Sequence, residues 1–259
     1  MSDLHYQKAL LIAEKTGLDI NDLLIFKDLF NREKAKFEDE IQKLENGYPL
    51  DYLLGKTTIA GKEFQITENT LIPRPETEIW IKNIKNKTQK FLKKYQYKNL
   101  NLVDLGTGTG VIGISLADSF ANTFLIDKSK KALKIAKINS EKNRKIQTFR
   151  ANIFDNKKLL QKMKTRNYVL ISNPPYLPQT DYKKEFEPLI SLYSGHNGLK
   201  LFTQILQDLQ KLPKKPVLVW FELDPRNIQK ARKLLQKIYK KTKITTDDYG
   251  RKRNLIGYL

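Results

Sequence analysis

Apolar residues recur at helical spacing from Tyr6 to Leu44, in three sets. These are Ala9, Leu10 and Ala13, then Leu23, Leu24, Phe26, Leu29 and Phe30, then Phe37, Ile41 and Leu44. Gly17 and Asn31 interrupt them, so two or three short helices are expected. The texture then changes. Ile59, Phe64 and Ile66 alternate around Ala60-Gly61-Lys62, the pattern of a hairpin. Next comes Leu71-Ile-Pro-Arg-Pro-Glu76, whose two prolines stiffen an extended connector. Beyond it, short apolar runs at Leu100–Leu105, Thr123–Ile126, Ile146–Phe149, Tyr168–Ser172 and Val217–Phe221 read as strands. Helical patterns at Val111–Ser119, Lys130–Glu141, Gly198–Gln210 and Asn227–Tyr239 fall between and after them. Strands alternating with helices predict an α/β unit with a parallel sheet covered on both faces. Lys243–Thr246 and Leu255–Leu259 read as two closing strands.

Composition narrows the chemistry. The 259 residues contain no cysteine, which excludes disulfides, thiolate metal sites and a thiol nucleophile. Two histidines, His5 and His196, argue against a histidine-built metal centre. No basic leader precedes an apolar run, and no stretch has the length of a membrane span, so a soluble, cytoplasmic protein is expected. The net charge of +20 invites a polyanionic partner, yet only nine of the 48 basic residues are arginine. Lysine scattered among abundant Asn and Ile fits compositional drift as well as it fits a binding patch.

Two motifs carry chemistry. Val103-Asp-Leu-Gly-Thr-Gly-Thr-Gly110 follows an expected strand and opens an expected helix. Its glycines permit close backbone approach to a ligand, but they stand at 106, 108 and 110, which is not the G-x-G-x-x-G spacing that cradles a pyrophosphate. Such a loop suits a cofactor without phosphate, S-adenosylmethionine. Asp127, about twenty residues on, stands where an acid accepts both ribose hydroxyls, although it also stands where it would cap the next helix.

Asn173-Pro-Pro-Tyr176 ends the fourth expected strand, at the sheet edge where open α/β folds bind ligands. An amide nitrogen is a poor nucleophile because its lone pair is delocalised into the carbonyl. The side-chain oxygen of Asn173 and the carbonyl of Pro174 can hold its two N–H groups and stabilise positive charge developing on nitrogen. Pro175 lacks an N–H and stiffens the turn, and Tyr176 offers a flat face to a planar amide or base.

Taken together, Asp104-Leu-Gly-Thr-Gly-Thr-Gly110, Asp127, Asn173-Pro-Pro-Tyr176, Leu71-Ile-Pro-Arg-Pro-Glu-Thr-Glu78 and Asp248-Tyr-Gly-Arg251 resemble the release factor glutamine N5-methyltransferases, the HemK or PrmC family. The likeness runs from about Gly47–Gly55 to the last strand. The tetrapeptide is shared with adenine-N6 and guanine-N2 methyltransferases, so the proline-rich Leu71–Glu78 segment discriminates. The resemblance implies a seven-stranded, Rossmann-like class I methyltransferase sheet over residues 79–259, a hairpin and proline-rich linker over 51–78, and a helical substrate-recognition domain over 1–50. It implies a monomer acting on the glutamine of the Gly-Gly-Gln motif in class-1 peptide chain release factors, with no need for direct nucleic-acid contact.

Carried over residue by residue, Asp104, Gly106, Thr107, Gly108, Thr109 and Gly110 form the cofactor loop, with the glycines around the methionine part. Asp127 takes the ribose, and Asn152 and Ile153 lie beside the adenine. Asn173, Pro174, Pro175 and Tyr176 hold the glutamine, with Asn173, Pro174 and Tyr176 catalytic and Asn173 also touching the cofactor. Two positions depart from the family. Ala151-Asn-Ile-Phe154 replaces an aspartate and an aromatic residue, and Asp224 stands where a glycine is usual. A nucleic-acid amino-methyltransferase, a ribosomal protein glutamine methyltransferase and a non-catalytic binder remain as alternatives.

Overall fold

The computed structural model describes residues 3–25, 34–182 and 186–259. It divides into two compact units, the first ending at Thr57 and the second beginning at Thr58, so the division falls inside the first strand. The first unit holds α1 (Asp3–Thr16), α2 (Ile20–Ile25), α3 (Lys34–Glu45) and α4 (Leu50–Leu54). Ala9, Ile12, Leu23, Ile41 and Leu44 form its small core, so the spacing noted at Ala9, Leu23, Ile41 and Leu44 marks a buried stripe. Phe26, Leu29, Phe30 and Asn31 lie outside the described residues, as do the side chains of Leu24 and Phe37. Gly55, at φ 72°, ends α4 by donating to the carbonyls of Asp51 and Tyr52.

The hairpin pairs β1 (Lys56–Ile59) with β2 (Lys62–Gln65). After it comes α5 (Pro75–Lys94), a helix beyond those the periodicity predicts. Pro75 opens it at a position that needs no N–H, Glu76 and Glu78 sit in its first turn and Lys93 and Lys94 in its last, each favourable to the helix dipole.

The rest of the chain alternates as expected: β3 (Asn101–Leu105), α6 (Val111–Leu116), β4 (Asn122–Asp127), α7 (Lys130–Ser140), β5 (Ile146–Arg150), α8 (Lys157–Thr165), β6 (Tyr168–Ser172), α9 (Leu189–Leu192), α10 (Lys200–Lys211), β7 (Leu218–Glu222), α11 (Ile228–Leu235), β8 (Lys241–Thr246) and β9 (Lys252–Tyr258). Helices α8 and α9 are likewise additional to the pattern; Asn156 caps α8 by accepting from the Leu159 N–H at 3.1 Å.

Seven strands form one sheet in the order β5-β4-β3-β6-β7-β9-β8. The first five of these are parallel, while β9 runs antiparallel between β7 and β8. Every residue of β3 and β6 is buried, as central parallel strands require, whereas edge strand β8 is half exposed and carries Lys241 and Lys243. Alternate residues feed two cores. Val103, Leu105, Leu170, Val219 and Phe221 join one; Leu102, Val169, Ile171, Leu218 and Trp220 join the other. Both cores draw only on residues from Ile59 onward. The order in which successive strands are laid down reverses between the parallel neighbours β3 and β6, so the loops leaving these strands open a crevice at their carboxyl ends.

Candidate active site

The loop after β3 is held from below by β4. The N–H groups of Gly106 and Thr107 donate to the Ile126 carbonyl at 2.8 and 2.9 Å, and the Gly108 N–H donates to the Asp127 carboxylate at 3.0 Å. Gly106 and Gly108 have φ of 73° and 55°, and a Cβ added at either would meet no atom within 4 Å. They leave open space where a side chain would stand, as a ligand cradle requires. Asp104 plays a different part. Its buried carboxylate accepts from the Thr107 hydroxyl at 2.7 Å and the Gly113 N–H at 2.9 Å, which locks the loop to the first turn of α6. Its other oxygen has no hydrogen-bond partner among the described residues, and burial pushes its pKa up to about 6.

Two cavities meet at this edge. The first is lined by Gly106, Gly108, Asp127, Asn152, Ile153 and Asn173, with an apolar wall that includes Leu105, Leu201 and Ile205. It brings together six of the residues expected at the cofactor. The other four, Asp104, Thr107, Thr109 and Gly110, do not line it; the first three are buried, and Gly110 at φ 86° starts α6. Asp127 both braces the loops around it and faces the cavity. One carboxylate oxygen accepts from Gly108 and the other from the Ser129 N–H at 2.9 Å, while the helix cap proper is the Ser129 hydroxyl, accepting from Ala132. Ile153 sits at φ 61°, a left-handed conformation that a β-branched side chain rarely adopts. Asp155 supports that turn by accepting from the Asn152 N–H at 2.9 Å. A glycine cradle without a phosphate-binding turn, one carboxylate, one amide and an apolar slot fit S-adenosylmethionine: Asp127 would hold the ribose, Asn152 and Ile153 the adenine, and Gly106 and Gly108 the methionine part.

The second cavity, of about 340 Å³, is lined by Tyr176, Trp80, Glu222, Asp247, Arg251 and Arg253 among others. Leu71, Asn173, Pro174 and Ser191 line both cavities. Asn173 and Pro174 therefore stand where the two spaces join. Among the described residues, no protein donor reaches the Asn173 side-chain oxygen or the Pro174 carbonyl. Pro175 faces the first cavity and Tyr176 the second.

Further groups shape this site, and three of them, Glu187, Asn139 and Gly198, are absent from the motifs. Glu187, almost fully buried, accepts from the Ile72 N–H at 2.8 Å and pairs with Arg74, which fastens the proline-rich connector to the segment that follows the tetrapeptide. Glu76 pairs instead with Arg251 at 3.5 Å, and Glu78 accepts from Ala60 of the hairpin. Asn139 binds Gln65 on β2 through both its oxygen and its nitrogen, and donates also to Thr109 in the cofactor loop. Gly198, at φ 74°, lies so close to the tetrapeptide that a Cβ there would stand 2.0 Å from the Tyr176 carbonyl oxygen.

Asp224, the departure after β7, receives the Arg226 guanidinium at 2.6 Å, and Arg226 reaches on to Asp181 at 2.8 Å. The pair thus bridges β7 to the loop beyond the tetrapeptide. Arg251, with its side chain 41% exposed, dresses its own turn by donating to Asp247 at 2.7 Å, whereas Arg253 points inward and donates to the Tyr176 hydroxyl at 3.2 Å. His196 is exposed in its loop.

The Methyltransferase small domain family matches residues 81–190. In solved structures the fold resembles the hMettl16 catalytic domain in complex with a 3'UTR hairpin, with a TM-score of 0.57 at 13% identity over 75% of this chain and 74% of that one. It also resembles the N-terminal domain of human METTL16 in complex with SAH, with a TM-score of 0.53 at 16% identity over 75% of each chain. The likeness in sequence is much stronger elsewhere. A release factor glutamine methyltransferase of Flavobacterium psychrophilum is 35% identical over 90% of this chain and 84% of its own length. That of Enterococcus faecalis is 31% identical over 98% and 91%, and that of Bacillus subtilis 29% identical over 96% and 90%. Identity at this level, held across nearly the whole length of the matched proteins, makes the chain a member of the release factor glutamine methyltransferase family.

Proposed function

We propose that the protein transfers a methyl group from S-adenosylmethionine to the side-chain amide nitrogen of the glutamine in the Gly-Gly-Gln motif of class-1 peptide chain release factors. The observation that carries this reading is the place of Asn173 and Pro174 at the junction of the two cavities, with two acceptor oxygens that no described protein donor uses. When bound, S-adenosylmethionine supplies an electrophilic methyl group on a sulfonium. The Asn173 oxygen and the Pro174 carbonyl take the two amide hydrogens, which turns the nitrogen lone pair toward the first cavity. They also stabilise the positive charge that develops on nitrogen, which is discharged when one amide proton leaves, the cofactor's sulfonium becoming the neutral thioether of S-adenosylhomocysteine. Tyr176 provides the wall against which a planar amide packs. Glu187 and Gly198 keep the neighbouring segments against the tetrapeptide.

A nucleobase acceptor is less compatible with the second cavity. On a chain with a net charge of +20, that cavity carries Glu76, Glu222, Asp247 and Asp248 against Arg74, Arg251 and Arg253. Arg74 and Arg251 are already engaged by carboxylates, so little positive charge is left for a phosphate backbone. The reading accordingly takes a protein as the only macromolecular partner, a monomeric enzyme in the cytoplasm, and the helical unit as the part that grips the release factor. No described helix is long and apolar enough to cross a membrane.

The test is mass spectrometry of a class-1 release factor before and after incubation with enzyme and S-adenosylmethionine, with ribosomal protein and RNA in parallel. One added methyl on the Gly-Gly-Gln glutamine is the expected result. Methyl incorporation into RNA alone would replace this reading with the nucleic-acid one.

A further inference from the structure

Arg253 lies on β9 beside Asn254, whose register partner on β7 is Glu222. Its Nη1 donates to the Tyr176 hydroxyl at 3.2 Å, and its guanidinium carbon lies 5.9 Å from the Tyr176 ring centre. The same Nη1 is 3.9 Å from Glu222 Oε1, and its Nε is 3.6 Å from Asp247 with no hydrogen-bond partner of its own. The side chains of both Glu222 and Arg253 are largely withdrawn from solvent, at 15% and 23% exposure. The hydroxyl oxygen lies on the axis of a tyrosine's second side-chain torsion, so the partner of the hydroxyl fixes where the far end of the ring stands, and packing against that partner sets the plane. Here that partner is a rigid, planar cation that needs a nearby carboxylate to remain buried.

We propose that Arg253 and Glu222 are positioning residues for the acceptor amide: Arg253 sets the plane of the Tyr176 ring, and Glu222 holds Arg253 in place. The assignment rests on the glutamine-methylating function proposed above, in which the ring is the wall that orients the nucleophile. Burial pushes Glu222 up to about 7, so its charge changes within the working range of a cytoplasmic enzyme. The charged groups facing Glu222 are Arg253 from β9, Glu76 from α5, and Asp247 and Arg251 from the turn between β8 and β9; Asp224 faces Tyr176 as well. Above about pH 7 the Glu222 carboxylate draws Arg253 toward β7. Below it the neutral acid lets go, Asp247 alone remains beside the guanidinium, and the ring is held less firmly.

The experiment measures methylation of a release factor from pH 5.5 to 8.5 for the wild type, Arg253→Gln, Arg253→Lys and Glu222→Gln, with cofactor affinity by calorimetry. Arg253→Gln is expected to lower kcat by about ten- to a hundredfold, the loss of one charge-assisted hydrogen bond, while cofactor affinity stays within about twofold. Arg253→Lys restores part of kcat. The wild-type profile falls on the acid side with a midpoint near the Glu222 pKa, and Glu222→Gln removes that limb.

A second readout needs no acceptor. In protein labelled at tyrosine Cζ, the Tyr176 carbon resonance, assigned by its loss in Tyr176→Phe, shifts with the same midpoint in the wild type and does not shift in Glu222→Gln. Normal kcat in Arg253→Gln, an acid limb that persists in Glu222→Gln, or a Tyr176 resonance indifferent to both substitutions overturns the proposal. Should the wild type leave release factor unmethylated, the function reading fails, and the resonance still decides whether Glu222 and Arg253 hold the ring.

Discussion

Asn173 and Asp127 divide the labour of the site at the scale of single residues, and their substitutions should part accordingly. Asn173→Ala removes one preorganised acceptor from the developing charge, so turnover in single-turnover assays at saturating cofactor should fall by about a hundred- to a thousandfold with cofactor affinity nearly unchanged. Near-normal turnover would mean that other groups hold the amide. Asp127→Ala removes the anion that binds the Gly108 and Ser129 N–H groups, together with the ribose acceptor. Calorimetry should show cofactor binding weaker by about 2 to 4 kcal/mol, and an unchanged affinity would take Asp127 out of the site.

Asp104 and Glu222 act on stability rather than on turnover alone. Burial raises both carboxyls, to about 6 and about 7. Each therefore contributes stability that is present below about pH 4, near the unfolded value, and is lost as pH rises through its folded pKa. Urea unfolding should show the wild type losing stability between pH 5 and 7.5, with a shallower loss in Glu222→Gln; equal slopes would mean that Glu222 titrates normally.

At the scale of elements, the segment between β6 and α10 is fastened at three points. Glu187 holds the Leu71–Glu76 connector, Arg226 bridges Asp181 and Asp224, and Gly198 packs on the Tyr176 carbonyl. Gly198→Ala meets both a positive φ and a clash with backbone, so the tetrapeptide must move. The variant should lose most of its methylating activity while its far-ultraviolet dichroism stays close to that of the wild type. Retained activity would show that the loop has room to shift.

These fastenings explain what could be read locally and what could not. Gly106, Gly108 and Asn173-Pro-Pro-Tyr176 declare themselves because backbone conformation and the chemistry of a single turn demand those residue types in a row. Glu187 binds Ile72, 115 positions away, and Arg253 binds Tyr176, 77 positions away. No periodicity or spacing connects such pairs; only the order of strands in the sheet does.

For the whole molecule, the two compact units make a separable claim about recognition. The sheet unit owns both large cores, neither of which uses a residue before Ile59. A chain beginning at Lys56, the first residue of β1, should thus fold and bind S-adenosylmethionine as the intact protein does. If the helical unit grips the release factor, kcat/KM on intact release factor should drop on the order of a hundredfold, the usual loss when one of two linked contacts is removed. Full activity of the shortened chain would assign recognition to the sheet unit alone.

The alternation of apolar runs and helical stripes was enough to specify a covered parallel sheet, its two closing strands and the helical stretch before it, because burial on one or both faces imposes a fixed period on any sequence that folds this way. The glycine loop and the tetrapeptide were equally local. The pattern does not mark helices α5, α8 and α9, and the roles of Arg253, Glu187 and Asp224 arise only when β7, β9 and the connector are brought to one crevice. A charged side chain shows its purpose by its partner, and in this fold the partners are set by sheet order rather than by distance along the chain.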